Sequence, residues 1–189
     1  KTIAGNAVGE IANTTIPVYT LPEVEVTPSG TATNYPAKIT VEIGDFTVEI
    51  AVDAADTSNG SNEIKVKDKA GNEHTIKLPD DTLDGIIATD KKVTLSPDQL
   101  QAIVDAYNKD AAPKIVVDKD TKVSLEVEDS SGNSLGTPDN KDVTSTETNV
   151  PTYTLTPEYG KHVESVTMDS KNTTELPANP TDSTNPATG

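Results

Sequence analysis

The stretch Lys38–Val52, KITVEIGDFTVEIAV, constrains the fold more than any other. Ile39, Val41 and Ile43 alternate with polar residues up to Gly44-Asp45, and Phe46, Val48, Ile50 and Val52 alternate after it. A period of two puts one face of an extended chain in the core and the other in water. A Gly-X connection suits a type II′ hairpin, because glycine accepts the positive φ at the first central position. The stretch therefore reads as a hairpin rather than one long strand bulged at Gly44. Ile43 then faces Phe46, Val41 faces Val48 and Ile39 faces Ile50. A slip of one residue would turn that whole apolar set to water, so the register is strongly specified.

The same pattern continues on both sides. Pro17–Leu21 and Glu23–Val26 are short strand candidates. Glu63–Lys67 and Glu73–Leu78 form a second hairpin, turning at Asp68–Asn72, after a polar loop 53–62 whose expected tip is Asn59-Gly60. Residues 79–92 read as an irregular connection around the apolar pair Ile86-Ile87. Ser96–Asp110 is the one helix: Ser96 and Gln99 have capping-box spacing, and Pro97 suits the first turn. Leu100, Ile103, Val104 and Tyr107 make its single apolar stripe. Further strands are expected at Lys114–Asp118, Lys122–Glu128, Pro151–Leu155 and His162–Met168, with 134–149 a polar loop. The fold class is thus mainly β, an antiparallel β-sandwich with one short α-helix. Its expected core is Ile39, Val41, Ile43, Phe46, Val48, Ile50, Ile64, Val66, Ile76, Leu78, Leu100, Ile103, Val104, Val123, Leu125 and Val127. Residues 1–15 read as an N-terminal arm, 16–168 as the folded domain with a second division available near 112, and 169–189 as a Pro/Thr/Asn-rich linker.

Composition removes several function classes. The 189 residues carry 31 acids against 15 lysines and no arginine, a net charge of −16. Nucleic acid and anionic membrane partners need a basic footprint that this chain lacks. No apolar run approaches the roughly 18 residues that span a bilayer, so membrane insertion is not expected. With no cysteine there is no disulfide and no thiolate chemistry. His74 and His162 lack zinc spacing, and neither a nucleophile elbow nor a Gly-rich phosphate loop is present. A non-enzymatic protein without catalytic residues or an organic cofactor is expected.

Oxygen ligands are plentiful in loops. Asp53, Asp56 and Asn59 fall in one, and Asp80, Asp81 and Asp84 in another, which makes calcium the cation to test for. The competing reading is a solvated acidic surface. In the arm, Ile3, Val8 and Ile11 are the apolar anchors available for contact with another copy. Thr15-Ile-Pro17-Val-Tyr19-Thr-Leu21 is echoed by Asn149-Val-Pro151-Thr-Tyr153-Thr-Leu155. Either a module start recurs there, or both segments are edge strands opened by proline.

Two segments resemble a known group of proteins. Val66-Lys-Asp68-Lys-Ala70-Gly71-Asn72 resembles the strand–turn signature of bacterial immunoglobulin-like (Ig-like) repeats in Gram-positive cell-surface proteins. Asn185-Pro186-Ala187-Thr188-Gly189 is similar to the sortase sorting pentapeptide of such proteins, with Asn185 in place of the usual leucine. The resemblance implies an Ig-like sandwich serving as a non-catalytic stalk or adhesin module, extracellular and cell-surface. Its partners would be a protein or glycan on a host or neighbouring cell. Two other readings follow from the residues: a filament or phage-particle subunit that binds copies of itself through its terminal segments, and a carbohydrate-binding module using Tyr19, Tyr35, Tyr153 and Tyr159.

Overall fold

The computed structural model describes residues 8–29 and 34–156, with side chains described for 14–29 and 34–150. Its strands are β1 (Val8–Thr20), β2 (Val24–Val26), β3 (Lys38–Ile43), β4 (Phe46–Ala51), β5 (Glu63–Lys67), β6 (Glu73–Lys77) and β7 (Val93–Leu95). After helix α1 (Pro97–Asp110) come β8 (Lys122–Glu128), β9 (Asp139–Asp142) and β10 (Thr144–Thr156). The chain divides into two units, one of residues Val18–Thr146 and one of Lys1–Pro17 with Glu147–Gly189.

In the Val18–Thr146 unit a six-stranded sheet runs β6-β5-β4-β3-β8-β9, every neighbouring pair antiparallel. Its central hairpin has the expected register: Ile43 opposite Phe46, Val41 opposite Val48, Ile39 opposite Ile50. Gly44 turns it with φ 57°, while Asp45 is not among the residues of positive φ, as a type II′ turn requires. β8 extends the same face, with Val123, Leu125 and Val127 opposite Ile43, Val41 and Ile39. All sixteen expected core residues are buried.

The inner face of this sheet is covered by α1, by the β2–β7 pair and by the connections between them, all contributing to one apolar cluster. Leu100, Ile103, Val104 and Tyr107 of the helix are buried there, and Ser96 and Gln99 form the capping box in both directions. Leu83, Ile86, Ile87, Val93 and Leu95 join them, so the irregular connection 79–92 is a core element. The architecture is mainly β, with antiparallel sheets layered about one core and a single helix.

Four local expectations change. Lys114–Asp118 is not a strand, because Asn108 holds Ile115 on both sides: its Oδ1 accepts from the Ile115 amide at 2.7 Å and its Nδ2 donates to the Ile115 carbonyl at 2.8 Å. Those are the bonds a neighbouring strand would make; Ile115 is buried and Val116 exposed. Residues 134–149 are not simply loop, since β9 pairs there with β8 through backbone bonds that need no apolar pattern. Gly60 is not a loop tip. It is buried, and a Cβ there would lie 2.9 Å from both Ile50 Cγ2 and Ile86 Cδ1. β1 starts at Val8, so half of the expected arm is strand.

β1 and β10 form a separate two-stranded ribbon. Thr15 Oγ1 donates to Asn149 Oδ1 at 3.0 Å, and Thr144 Oγ1 reaches the Thr20 carbonyl at 3.5 Å. Moving up β1 therefore moves down β10, so the two strands are antiparallel. The strand expected at His162–Met168, the tail 169–189, Ile3 and the side chains of Val8 and Ile11 lie outside the described residues.

The helix cap and core give the first test. Ser96→Ala should cost about 1 kcal/mol through the lost cap, and Ile103→Ala about 2–5 kcal/mol through the cavity left in the core. Urea titration followed by circular dichroism measures both; equal and negligible shifts would mean that the helix does not pack on the sheet.

Candidate functional site

The residues with the most specific polar surroundings are two aspartates at the ends of β5 and β8. An aspartate side chain is short enough to bond amides just ahead of it in the chain, which is how it organises turns. Asp68 Oδ1 accepts from the amides of Ala70 and Asn72, each at 2.9 Å, and the Asn72 side-chain amide donates to Oδ2 at 2.9 Å. Asp129 repeats this with Ser131 and Asn133, each at 2.9 Å, and the Asn133 side chain at 3.1 Å. In both, the aspartate amide bonds the asparagine carbonyl and the glycine amide bonds the aspartate carbonyl. Gly71 (φ 84°) and Gly132 (φ 82°) take the left-handed conformation that the turn needs. Ile64–Asn72 and Leu125–Asn133 are thus one motif used twice: apolar, charged, Val, charged, Asp-x-x-Gly-Asn.

The two copies differ in what completes the carboxylate. At Asp129 the Asn34 side chain donates to Oδ2 at 2.8 Å. At Asp68 the neighbour is His74, with Nε2 at 3.5 Å from Oδ2. Bonds to the charged form lower a carboxyl pKa. The Asn133 backbone, its side chain and then Asn34 hold Asp129 down to about 2, and Asn72 is the leading cause of the lowered Asp68. With their oxygens saturated by amides, both carboxylates act as fasteners and are unsuited to be bases. Tyr107 is fully buried beside this turn, edge-on to Phe46 (5.5 Å) and to His74 (5.4 Å), with no hydrogen-bond partner for its hydroxyl. Burial, then the Asp68 charge, pushes the phenol pKa up.

The two loops that carry the expected calcium ligands adjoin. Asn59 Oδ1 accepts from the Gly85 amide at 2.8 Å, and the Gly60 and Ile87 amides bond Leu83 and Ser58 carbonyls across the same seam. Desolvation, then the Asp81 charge, raises the Asp84 pKa, and Asp56 and Asp53 add to it. Yet Asp53 is engaged by the Ala55 amide (2.7 Å) and Asp56 by the Ser58 amide and hydroxyl (3.0 and 2.7 Å). Asp80 is exposed. Among the described residues, no group of three or more His, Cys, Asp or Glu side chains is arranged to hold a metal ion.

The outer face of the six-stranded sheet is polar apart from Ala51. Lys38–Glu128 (3.0 Å), Lys65–Glu73 (2.9 Å), Lys67–Glu49 (3.6 Å) and Lys122–Asp142 pair charges across neighbouring strands. It carries no aromatic ring on which a sugar could stack. Of the tyrosines proposed for sugar binding, Tyr35 is exposed, with Lys91 Nζ 4.9 Å from its ring centroid, and Tyr19 is half-buried. The side chains of Tyr153 and Tyr159 lie outside the described residues.

Sequence reasoning found the Asp68 turn and missed its twin. The signal was available as the repeated Asp-x-x-Gly-Asn, but Asn34, which completes the second site, comes from a distant segment that carries no local pattern. Comparison with known proteins brings no match: no family model fits the chain, and neither curated proteins nor solved structures yield a similar one. No helix is long and apolar enough to cross a membrane among the described residues.

The aspartate turns set an acid response. Asp129 has a folded pKa of about 2, below its ordinary value of 3.8, so the unfolded chain binds the proton more readily in that interval. Its contribution is complete above the ordinary value and is lost as pH falls toward the folded one. Denaturant midpoints of the native protein should therefore drop between pH 4 and pH 2, and Asp129→Asn should flatten that drop while lowering the midpoint at pH 7. An unchanged acid slope in the variant would show that Asp129 is not held in this way.

Proposed function

We propose that this chain is a non-enzymatic, extracellular binding module of a bacterial surface protein, in which the Val18–Thr146 unit is the body that is presented. The observation that carries this reading is topological. The chain enters that unit along β1 and leaves it along β10, and the Thr144 hydroxyl meets the Thr20 carbonyl where the two strands pass. A spacer in a stalk receives the chain at one end and hands it on at the other. A unit whose ends adjoin adds little length, and what it contributes is its surface. Adjoining ends are also what allows one folded unit to be carried within another.

Chemistry supports the same reading. A chain of net charge −16 without cysteine is soluble and indifferent to redox conditions. The exposed sheet face, lined by cross-strand ion pairs, offers a polar area for a protein or glycan partner on a host or neighbouring cell. Buried carboxylates bonded by backbone amides fasten the turns where other exported domains use disulfides. The turn Asp68-Lys-Ala70-Gly71-Asn72 that resembles Ig-like repeats has a counterpart in Asp129-Ser-Ser131-Gly132-Asn133, with Ser131 in place of the alanine, which supports that resemblance.

Labelling of intact producing cells with antibody to residues 18–146 tests the proposal. Signal before permeabilisation, removed by brief protease treatment of whole cells, is the expected outcome. Signal that appears only after lysis overturns it.

A further inference from the structure

The β1–β10 ribbon differs from every other element of this molecule. Its described side chains add nothing to the apolar core, which begins at Leu21 and takes in Val143 but no residue of 14–20 or 144–150. Ile16 and Val18, 43% and 41% exposed, lie two apart on one face of β1. Both strands are thirteen residues long, and a two-stranded ribbon by itself is marginal in water.

Charge separates it further. Asp, Glu and Lys make up 24% of the chain, yet β1 holds one charged residue, Glu10, and β10 one, Glu147. Open strand edges are ordinarily guarded by charge, lysine above all. Here the guard is thinnest where the edges are longest. In a molecule of net charge −16, this is the stretch that a second copy could approach with the least repulsion.

The two strands are also versions of one sequence. Thr15-Ile-Pro17-Val-Tyr19-Thr-Leu21 and Asn149-Val-Pro151-Thr-Tyr153-Thr-Leu155 share Pro-x-Tyr-Thr-Leu, and the structure pairs the two strands that carry it.

We propose that β1 and β10 exchange between copies of this chain: β1 of one molecule pairs with β10 of a second, making the ribbon the seat of self-association. Every contact of the closed ribbon is remade in the exchanged one, so nothing new has to be evolved. The core of the Val18–Thr146 unit is not disturbed, because the described side chains of the ribbon supply none of it. What exchange gives up is the advantage of having both strands in one molecule, an effective concentration on the order of millimolar for flexibly linked partners. Exchange is therefore expected in concentrated solution or where copies are crowded, with monomers in dilute solution.

Single cysteines test it, since the natural chain has none. Thr15→Cys and Asn149→Cys replace the two side chains that meet at 3.0 Å across the ribbon. The two full-length variants are mixed in equal amounts at about 1 mM, the effective-concentration scale, in a glutathione redox buffer. The disulfide dimers are then counted by mass spectrometry. Exchange predicts mixed dimers several-fold above the random proportion of mixed to like pairs. Random proportions, or no dimers, overturn the proposal.

A second mixture, Thr15→Cys with Thr144→Cys, puts the two thiols five positions out of register, since Thr15 faces Asn149 and Thr144 faces Thr20. There the mixed dimers should stay at the random proportion; an excess as large as that of the facing pair would show that the dimers form without exchange of the ribbon and would overturn the proposal. Surface labelling of cells is indifferent to either result, so the location of the protein and its self-association stand or fall separately.

Discussion

The register of the β3–β4 hairpin is the constraint on which the rest of this molecule depends. Ile39, Val41 and Ile43 meet Ile50, Val48 and Phe46 on one face, and β8 and β5 extend that face on either side. Each fully buried branched side chain stabilises the fold by roughly 1.5–3 kcal/mol, so a one-residue slip would expose the whole set at once. The helix, the β2–β7 pair and the 79–92 connection all rest on this surface. Alternation also dictates the opposite face, where lysine and glutamate meet across strands and remain in water.

Beyond the core, the recurring device is a carboxylate withdrawn from solvent and bonded by amides. Asp68 and Asp129 are 5% and 4% exposed, and burying a charge is costly unless its hydrogen bonds are remade. Each turn remakes them from backbone amides ahead of it and an asparagine side chain four residues on, and Asp129 adds a side chain from a distant loop. Loops and turns of this molecule are thereby held by short-range polar bonds. Tyr107 is a counterexample, as is Asn62 Oδ1: the buried Tyr107 hydroxyl has no partner, while its ring lies edge-on to Phe46 and His74.

What could be read from the sequence was what is local. The two hairpins, the capped helix and the strand at 122–128 declare themselves through period, turn chemistry and caps that lie within a few residues of one another. β7 and β9 do not: three residues, or the string Asp-Asn-Lys-Asp, carry no period, and they are strands only because a partner offers free backbone bonds. Ile115-Val116-Val117 showed the reverse error, apolar and β-branched yet held by a single asparagine instead of a strand. The acidic residues were legible as a group, and their neighbourhood across two loops was not, since it depends on Gly60 packing against Ile50 and Ile86. The echo between residues 15–21 and 149–155 was visible, but only the fold makes partners of the two strands that carry it, which meet within the echo at Thr15 and Asn149 alone.

That partnership has a mechanical side. Two antiparallel strands that carry the chain into and out of a folded unit load their hydrogen bonds one after another when the chain is pulled at its ends, as a zipper does. Strands pulled past one another in shear load all of theirs together. Tension on this chain would accordingly be spent first on peeling Val8–Thr20 from Thr144–Thr156, a stretch whose described side chains supply nothing to the core. Two thirteen-residue strands release about 3.3 Å of length per residue, and only then does the pull reach Leu21 and Val143, where the packed interior begins.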